Sequence, residues 1–343
     1  MMDSTKSMHV SIVYLGDGLP SYLLKNLKYL KQTFQNEHIV FISDSDKSLG
    51  IVSNMGLRTW KFQGLTEIVE TYRKSLRHDW AFRSNFWFNT LARYFAIDAY
   101  MSEHQENSHL HLEADNFLFP YFPFEFFRNH ESKLAFPMES DEMGVASVLF
   151  IPNLHALKIL IDTSVKEISD NPFATDMTIL GKIANSSSYL SSKLRVLPKE
   201  LENTLKETNY PSHFSSKADI PGVFDAISHG QFLLGVDPRN FRGVRKVFAA
   251  QVSHIVDPTQ LNYRVNGKNE LCIAKEGDLW PIYNLHNHSK DLRLYASSTR
   301  LKLLTRRIDQ MKSGERSEFL LPFFLKALFG ALKRRMVRVI QKA

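Results

Sequence analysis

The 343-residue sequence predicts an α/β protein built on a parallel sheet. Three observations predict it. The chain opens as strand, helix, strand with short connections; a later apolar strand runs out into two carboxylates; and 43% hydrophobic with 12% aromatic residues supply a sizeable core. This composition excludes disorder as the main state. No stretch reaches the ~18 uninterrupted apolar residues of a spanning helix, and Met-Met-Asp-Ser-Thr-Lys-Ser-Met lacks the apolar core of a signal peptide. The expectation is a protein neither spanning a membrane nor secreted. The single cysteine, Cys272, leaves no disulfide framework and no Cys-rich zinc module, which suits a reducing cytoplasm. Any metal must then be held by His and carboxylates.

The elements follow in order. His9-Val-Ser-Ile-Val-Tyr-Leu15 is a β-rich apolar run closed by Gly16-Asp-Gly-Leu-Pro20, a strand and its turn. Residues 22–31 place Leu23, Leu24, Leu27 and Leu30 on one stripe with lysines opposite, an amphipathic helix. His38-Ile-Val-Phe-Ile-Ser-Asp44 is a second strand. Ser84 to Met101 carries apolar residues at helical spacing. In His109-Leu-His-Leu-Glu-Ala-Asp115 polar and apolar residues alternate strictly, so a strand there sets His109, His111, Glu113 and Asp115 on one face. Residues 144–152 read as a strand, 154–165 as a helix, 185–218 as a surface excursion, and 280–290 as a strand with a polar end.

The net charge of +7 is unevenly spread. Residues 300–343 hold twelve Lys/Arg and three acids; the other 299 residues hold 31 bases and 33 acids. A nearly neutral body with a basic tail argues against a nucleic-acid-binding surface.

Two constellations carry chemistry. Glu113-Ala-Asp115 ends a strand at the crevice where α/β folds bind ligands, and two carboxylates so placed suit a hard divalent cation with a diphosphate. A solvated loop is the plain alternative. Asn284-Leu-His286-Asn-His288-Ser-Lys290 sets two imidazoles and an ammonium on one side of a strand end, able to ligate a metal and neutralise phosphate. Together they are the complementary parts of a metal–diphosphate site.

The order of these blocks resembles glycosyltransferases of the GT-A fold, in particular transferases of bacterial surface polysaccharides such as capsule and lipopolysaccharide. The resemblance is carried by the opening strand–helix–strand, Ser84-Asn-Phe-Trp-Phe-Asn-Thr-Leu-Ala-Arg93-Tyr-Phe, His-Leu-Glu113-Ala-Asp115-Asn-Phe-Leu-Phe-Pro120 in the place of an Asp-x-Asp motif, Ala146-Ser-Val-Leu-Phe-Ile, Thr175-Asp176-Met, residues 224–237 and Leu285-His-Asn-His-Ser-Lys290. It covers about residues 8–292. It implies a Rossmann-like mixed central sheet flanked by helices, Mn²⁺ or Mg²⁺, and a nucleotide-sugar donor, a UDP-sugar first. Asp115 would ligate the metal and Glu113, where the family has Asp, would contact ribose or metal-bound water. His286 or His288 would complete the metal site, with Lys290 on the diphosphate. Arg93 would meet the donor phosphates, a surface salt bridge being its alternative. Leu15, Gly16 and Asp44 would hold base and ribose, Asp44 having a turn-capping alternative. Asp176 and Asp225, acids in apolar surroundings, are candidates for the general base, with helix N-caps as the alternative for both.

Residues 319–340 set Leu321, Phe324, Leu325, Leu328, Leu332, Met336, Val339 and Ile340 on one stripe with cations beside it, a basic amphipathic helix suited to a membrane surface. A helix packed back on the body or a homodimer seam is the alternative. The expectation is therefore a GT-A catalytic domain at 1–298 and a basic amphipathic helical tail at 299–343. The reading is a metal-dependent hexosyltransferase, cytoplasmic and peripheral at the inner face of the membrane, acting on a surface-glycan or lipid-linked acceptor. Rival readings are a metallohydrolase using His109, His111, Glu113 and Asp115, and a non-catalytic carbohydrate-binding protein.

Overall fold

The computed structural model describes residues 8–73, 75–78, 85–129, 133–186, 191–196, 201, 221–235 and 256–312. The opening is as expected: β1 (His9–Val13), α1 (Ser21–Thr33) and β2 (His38–Ser43), followed by α2 (Asp46–Asn54), β3 (Arg58–Lys61), α3 (Leu65–Arg73) and α4 (Phe86–His104). Then come β4 (His109–Leu112), β5 (Asn116–Leu118), α5 (Phe124–Arg128), β6 (Leu134–Ser140), β7 (Met143–Gly144), β8 (Val148–Ile151), α6 (Leu154–Asp170), α7 (Asp176–Ser186) and β9 (Ser191–Leu194). The last described part holds α8 (Ser228–Leu234), β10 (Asn262–Val265), β11 (Leu271–Lys275), β12 (Asp278–Pro281), β13 (Asn284–His286) and α9 (Ser297–Lys312).

The central sheet runs β3-β2-β1-β4-β8-β6-β7, with β9 paired to β6. Strands β1 to β4 are mutually parallel, β8 is antiparallel to β4, and β9 is parallel to β6. This is the mixed α/β sheet flanked by helices that the sequence predicts. Its apolar runs are buried on both sides: Val10, Ile12, Phe41, Ile42, Leu110, Leu112 and Leu149 are all inside the core. Because β4 lies between β1 and β8, its alternation does not separate a wet face from a dry one, and His109 and His111 are as buried as their apolar neighbours.

Two smaller sheets complete the fold. One is the antiparallel β10-β11-β12; the other is β5 with β13, in register His286 opposite Asn116. That pairing brings residues 115 and 286 together. Helix α9 straddles the expected boundary at 298, and its Arg300, Leu303, Leu304, Arg307 and Ile308 are buried. Residues 313–343 of the expected tail, most of the excursion at 185–218 and residues 236–237 lie outside the described residues. No helix among the described residues is long and apolar enough to cross a membrane.

Candidate functional site

Strand β4 ends at Leu112, and the turn Glu113-Ala-Asp115 carries the chain into β5 at the carboxyl end of the parallel strands. Asn116 fixes this turn from below: its amide donates to Ser147 O at 2.5 Å and its Oδ1 accepts from Asn284 Nδ2 at 2.8 Å. Asn284 also bonds the Asp225 backbone, so three distant segments are tied at one buried point. Sequence reading passed over both asparagines. Their signal is an amide beside apolar strand residues, Phe117 and Leu118 in β5 and Leu285 in β13, which a buried position tolerates only with partners.

Ligand atoms of Glu113, Asp115 and His286 lie within 4.8 Å of one another, the one such group of three or more among the described residues. His286 Nε2 is 3.4 Å from Glu113 Oε2 and 3.3 Å from Asp115 Oδ1. Its Nδ1 lies 2.8 Å from Ala226 O; a carbonyl only accepts, so Nδ1 carries the proton and Nε2 is the nitrogen turned to the carboxylates. A metal-ligating imidazole is oriented in this way, by a backbone carbonyl on its other nitrogen. Two hard oxygens and one imidazole nitrogen fit a divalent metal ion. Of the two candidate histidines, His288 stands outside the group: its Nδ1 accepts from Gln231 Nε2 at 3.2 Å, and its ring packs edge-on against His286 at 4.2 Å.

Lys290 reaches the same point by a turn. Its amide donates to Asn287 O, its φ is 56°, and its ammonium bonds Asp115 Oδ2 and stands 4.9 Å over the Tyr22 ring. A non-glycine residue in the left-handed region stores on the order of 1 kcal/mol, which the surrounding contacts hold.

Arg93 departs from its expected role. It is only 6% exposed, and its guanidinium bonds Glu113 Oε1 at 2.7 Å and Asp176 Oδ2. It is turned inward onto two carboxylates rather than toward an incoming phosphate or a surface partner. Burial opposes its charge, but Glu113 and Asp176 outweigh that and raise its pKa. Glu113 is pushed up by burial and pulled further down by Arg93, His286 and Lys290, so it stays ionised. Asp176 begins α7, and burial, with Glu113 close by, raises its pKa against the pull of Arg93.

Asp225 is also corrected. It is fully buried, and its carboxylate accepts from the backbone N–H of His229 at 2.9 Å, of Gly230 at 2.8 Å and of His286 at 2.8 Å. Three amides hold it inside the fold, which is its helix-capping alternative rather than the role of a base. It caps α8 and fixes the backbone of His286. Asp44 takes its turn-holding alternative: Oδ1 accepts from Gly16 N at 2.7 Å, steadying the loop after β1. Gly16 and Gly18 have φ of 103° and 93° with nothing within 4 Å of an added Cβ, so the loop keeps an open edge. Leu15 is buried, and its carbonyl accepts from Asn89 Nδ2 at 3.4 Å. The metallohydrolase face does not assemble. His109 Nδ1 is bound to Glu106 Oε2 at 2.7 Å, His111 Nδ1 lies 3.4 Å from Ser11 Oγ, and neither joins the carboxylates.

No protein-family model and no curated protein sequence matches the chain. Among solved structures it is similar to mouse xyloside xylosyltransferase 1 in its apo form, with 12% identity over 57% of this chain and 89% of that one, TM-score 0.40. It is also similar to a cytidylyltransferase from Leptospira borgpetersenii, with 12% identity over 46% and 64%, TM-score 0.29. An apo-form glycosyltransferase from Streptococcus pneumoniae overlaps with 20% identity over 54% and 45%, TM-score 0.34.

Proposed function

We propose that this chain is a metal-dependent glycosyltransferase that moves a sugar from a nucleoside-diphosphate donor to a glycan or lipid-linked acceptor. The observation that carries the proposal is the convergence of Glu113, Asp115 and His286, with Lys290 on Asp115, at the carboxyl ends of parallel strands. The GT-A resemblance of the sequence supports the same reading. Asp115, His286 and Glu113 would hold a divalent ion, which would supply positive charge for the leaving diphosphate. Lys290 is the chain's own cation for those phosphates. Arg93 keeps Glu113 ionised and pointed at the site. Asp176, buried and joined through Arg93 to Glu113, is the acid proposed to take the acceptor's proton, and a raised pKa is the direction a general base needs at neutral pH. The open glycine loop beside Asp44 is the place for base and ribose, with a UDP-sugar the first donor to test.

The membrane part of the proposal rests on the sequence pattern of residues 319–340, a basic amphipathic helix suited to an anionic leaflet where a lipid-linked surface-glycan precursor would lie. The test of function is direct: the purified protein with Mn²⁺ is given UDP-, GDP- and CDP-sugars, and released nucleoside diphosphate is measured. Turnover of one donor, abolished by EDTA, is expected. No release from any donor, with or without a sugar acceptor, contradicts the proposal.

A further inference from the structure

Four rings gather where α3, α4 and the turn before Asp176 meet, and the proposed reaction uses none of them. Phe86 and Trp87 lie in the first turn of α4, His78 follows α3, and Phe173 sits in the turn between α6 and α7. The His78 ring stacks on Trp87 at 5.1 Å and 25°, Phe173 meets His78 edge-on at 5.8 Å, and Phe86 meets Trp87 edge-on at 5.0 Å. Phe173 is 63% exposed, the most exposed large apolar side chain among the described residues. Water should drive such a ring down onto the surface unless its backbone prevents it.

The backbone beneath it is held. Phe173 N donates to Asn171 Oδ1 at 3.1 Å, Ala174 N to Asn171 O at 2.9 Å, and Arg77 N to Pro172 O at 2.9 Å, while His78 Nε2 bonds Ala174 O at 3.0 Å. The turn is pinned from both sides, which fixes where the side chain leaves the surface, and the ring rests edge-on against His78. Preorganisation of an exposed apolar group costs stability and is repaid when something covers it.

Its position points to an occupant. The turn holding Phe173 runs into Asp176 at the start of α7, and Trp87 O accepts the hydroxyl of Thr90, one helical turn on, at 2.9 Å. In the same stretch of α4, Asn89 reaches Leu15 O beside the glycine loop. The rings and the glycine loop therefore flank the start of α4, with Asp176 next to the rings. We infer that Phe173, with His78 and Trp87 behind it, is a stacking platform for a pyranose ring of the acceptor glycan. One face of a pyranose is a patch of C–H groups that packs on an aromatic face, while its hydroxyls stay in water or reach polar groups at the rim. The choice of an acceptor sugar as occupant rests on the transferase reading.

Saturation-transfer NMR with maltohexaose, cellohexaose and chitohexaose tests it on wild type, Phe173→Ala and Phe173→Trp. At least one hexasaccharide should bind wild type, lose about fivefold in affinity with Ala and keep it with Trp. Stabilisation by UDP and Mn²⁺ should be equal in all three proteins. No binding to wild type, or Ala binding as tightly as wild type, overturns the platform. If the sugars behave as expected while no nucleotide stabilises any form, the transferase reading fails and the platform stands.

Discussion

Replacing Asp225 by Asn separates a structural acid from a catalytic one. Asp225 Oδ2 accepts the amides of Gly230 and His286, and Oδ1 accepts that of His229. Asn keeps the shape but has one acceptor oxygen, so its NH₂ must face an N–H. One charge-assisted bond is lost, worth about 1.5–3 kcal/mol, and one buried amide is orphaned at a further ~1–3 kcal/mol. The sum is about 2.5–6 kcal/mol. A 343-residue chain unfolds with about 0.7 kcal/mol/K of entropy, so the melting temperature should fall by about 4–8 °C. Differential scanning calorimetry reads the shift, and Mn²⁺ titration reads the loosened His286. Asp176→Asn should behave oppositely, with turnover lost and a smaller change in melting, because Arg93 still finds Glu113 and a neutral amide oxygen. A Asp225→Asn protein that melts within ~1 °C of wild type yet no longer turns over would refute the structural assignment.

Three further outcomes follow. Burial lowers the pKa of His109 and, more strongly, of His111, so the unfolded chain takes up these protons first. Their stabilisation is whole above the unfolded value near 6.5 and is lost as pH falls below it. Glu106, pushed up by burial but pulled down to about 2 by His109 and His9, adds a second loss between about pH 4.5 and 2. Urea unfolding from pH 8 to 3 should therefore show stability falling in two stages, and His111→Asn should flatten the upper one; a pH-independent midpoint would contradict this. Gly230→Ala places a Cβ against His286 O and 2.7 Å from Asp225 Oδ2, so it should cost about 1–3 kcal/mol and weaken metal binding, as paired melting and Mn²⁺ titrations would show. Ending the chain at Lys312 keeps the buried residues of α9 and should abolish sedimentation with anionic vesicles while leaving nucleotide binding intact; unchanged sedimentation would exclude the tail as the anchor.

Local patterns made the framework legible. The leucine stripe of α1 and the apolar runs of β1 and β2 predict their elements because period and face agree. Glu113 and Asp115 were readable because a strand ends there. What escaped were choices made by partners far along the chain. His286 is selected over His288 by Ala226 O, sixty residues away, and Asp225 is claimed by amides on both sides of that gap. Arg93 lies on a helix whose buried residues run nearly all round it, so no stripe reveals which way it turns. The alternation at 109–115 promised one polar face, but a central strand has two covered faces, and His109 and His111 are satisfied by Glu106 and Ser11 inside the core.

The central claim is that Asp115 and His286, not His288, hold a divalent ion. Isothermal titration of Mn²⁺ into wild type, Asp115→Asn, His286→Gln and His288→Gln tests it most directly. Wild type should bind, Asp115→Asn and His286→Gln should lose at least about tenfold, and His288→Gln should stay within about threefold. Equal Mn²⁺ affinity in wild type, Asp115→Asn and His286→Gln would contradict it.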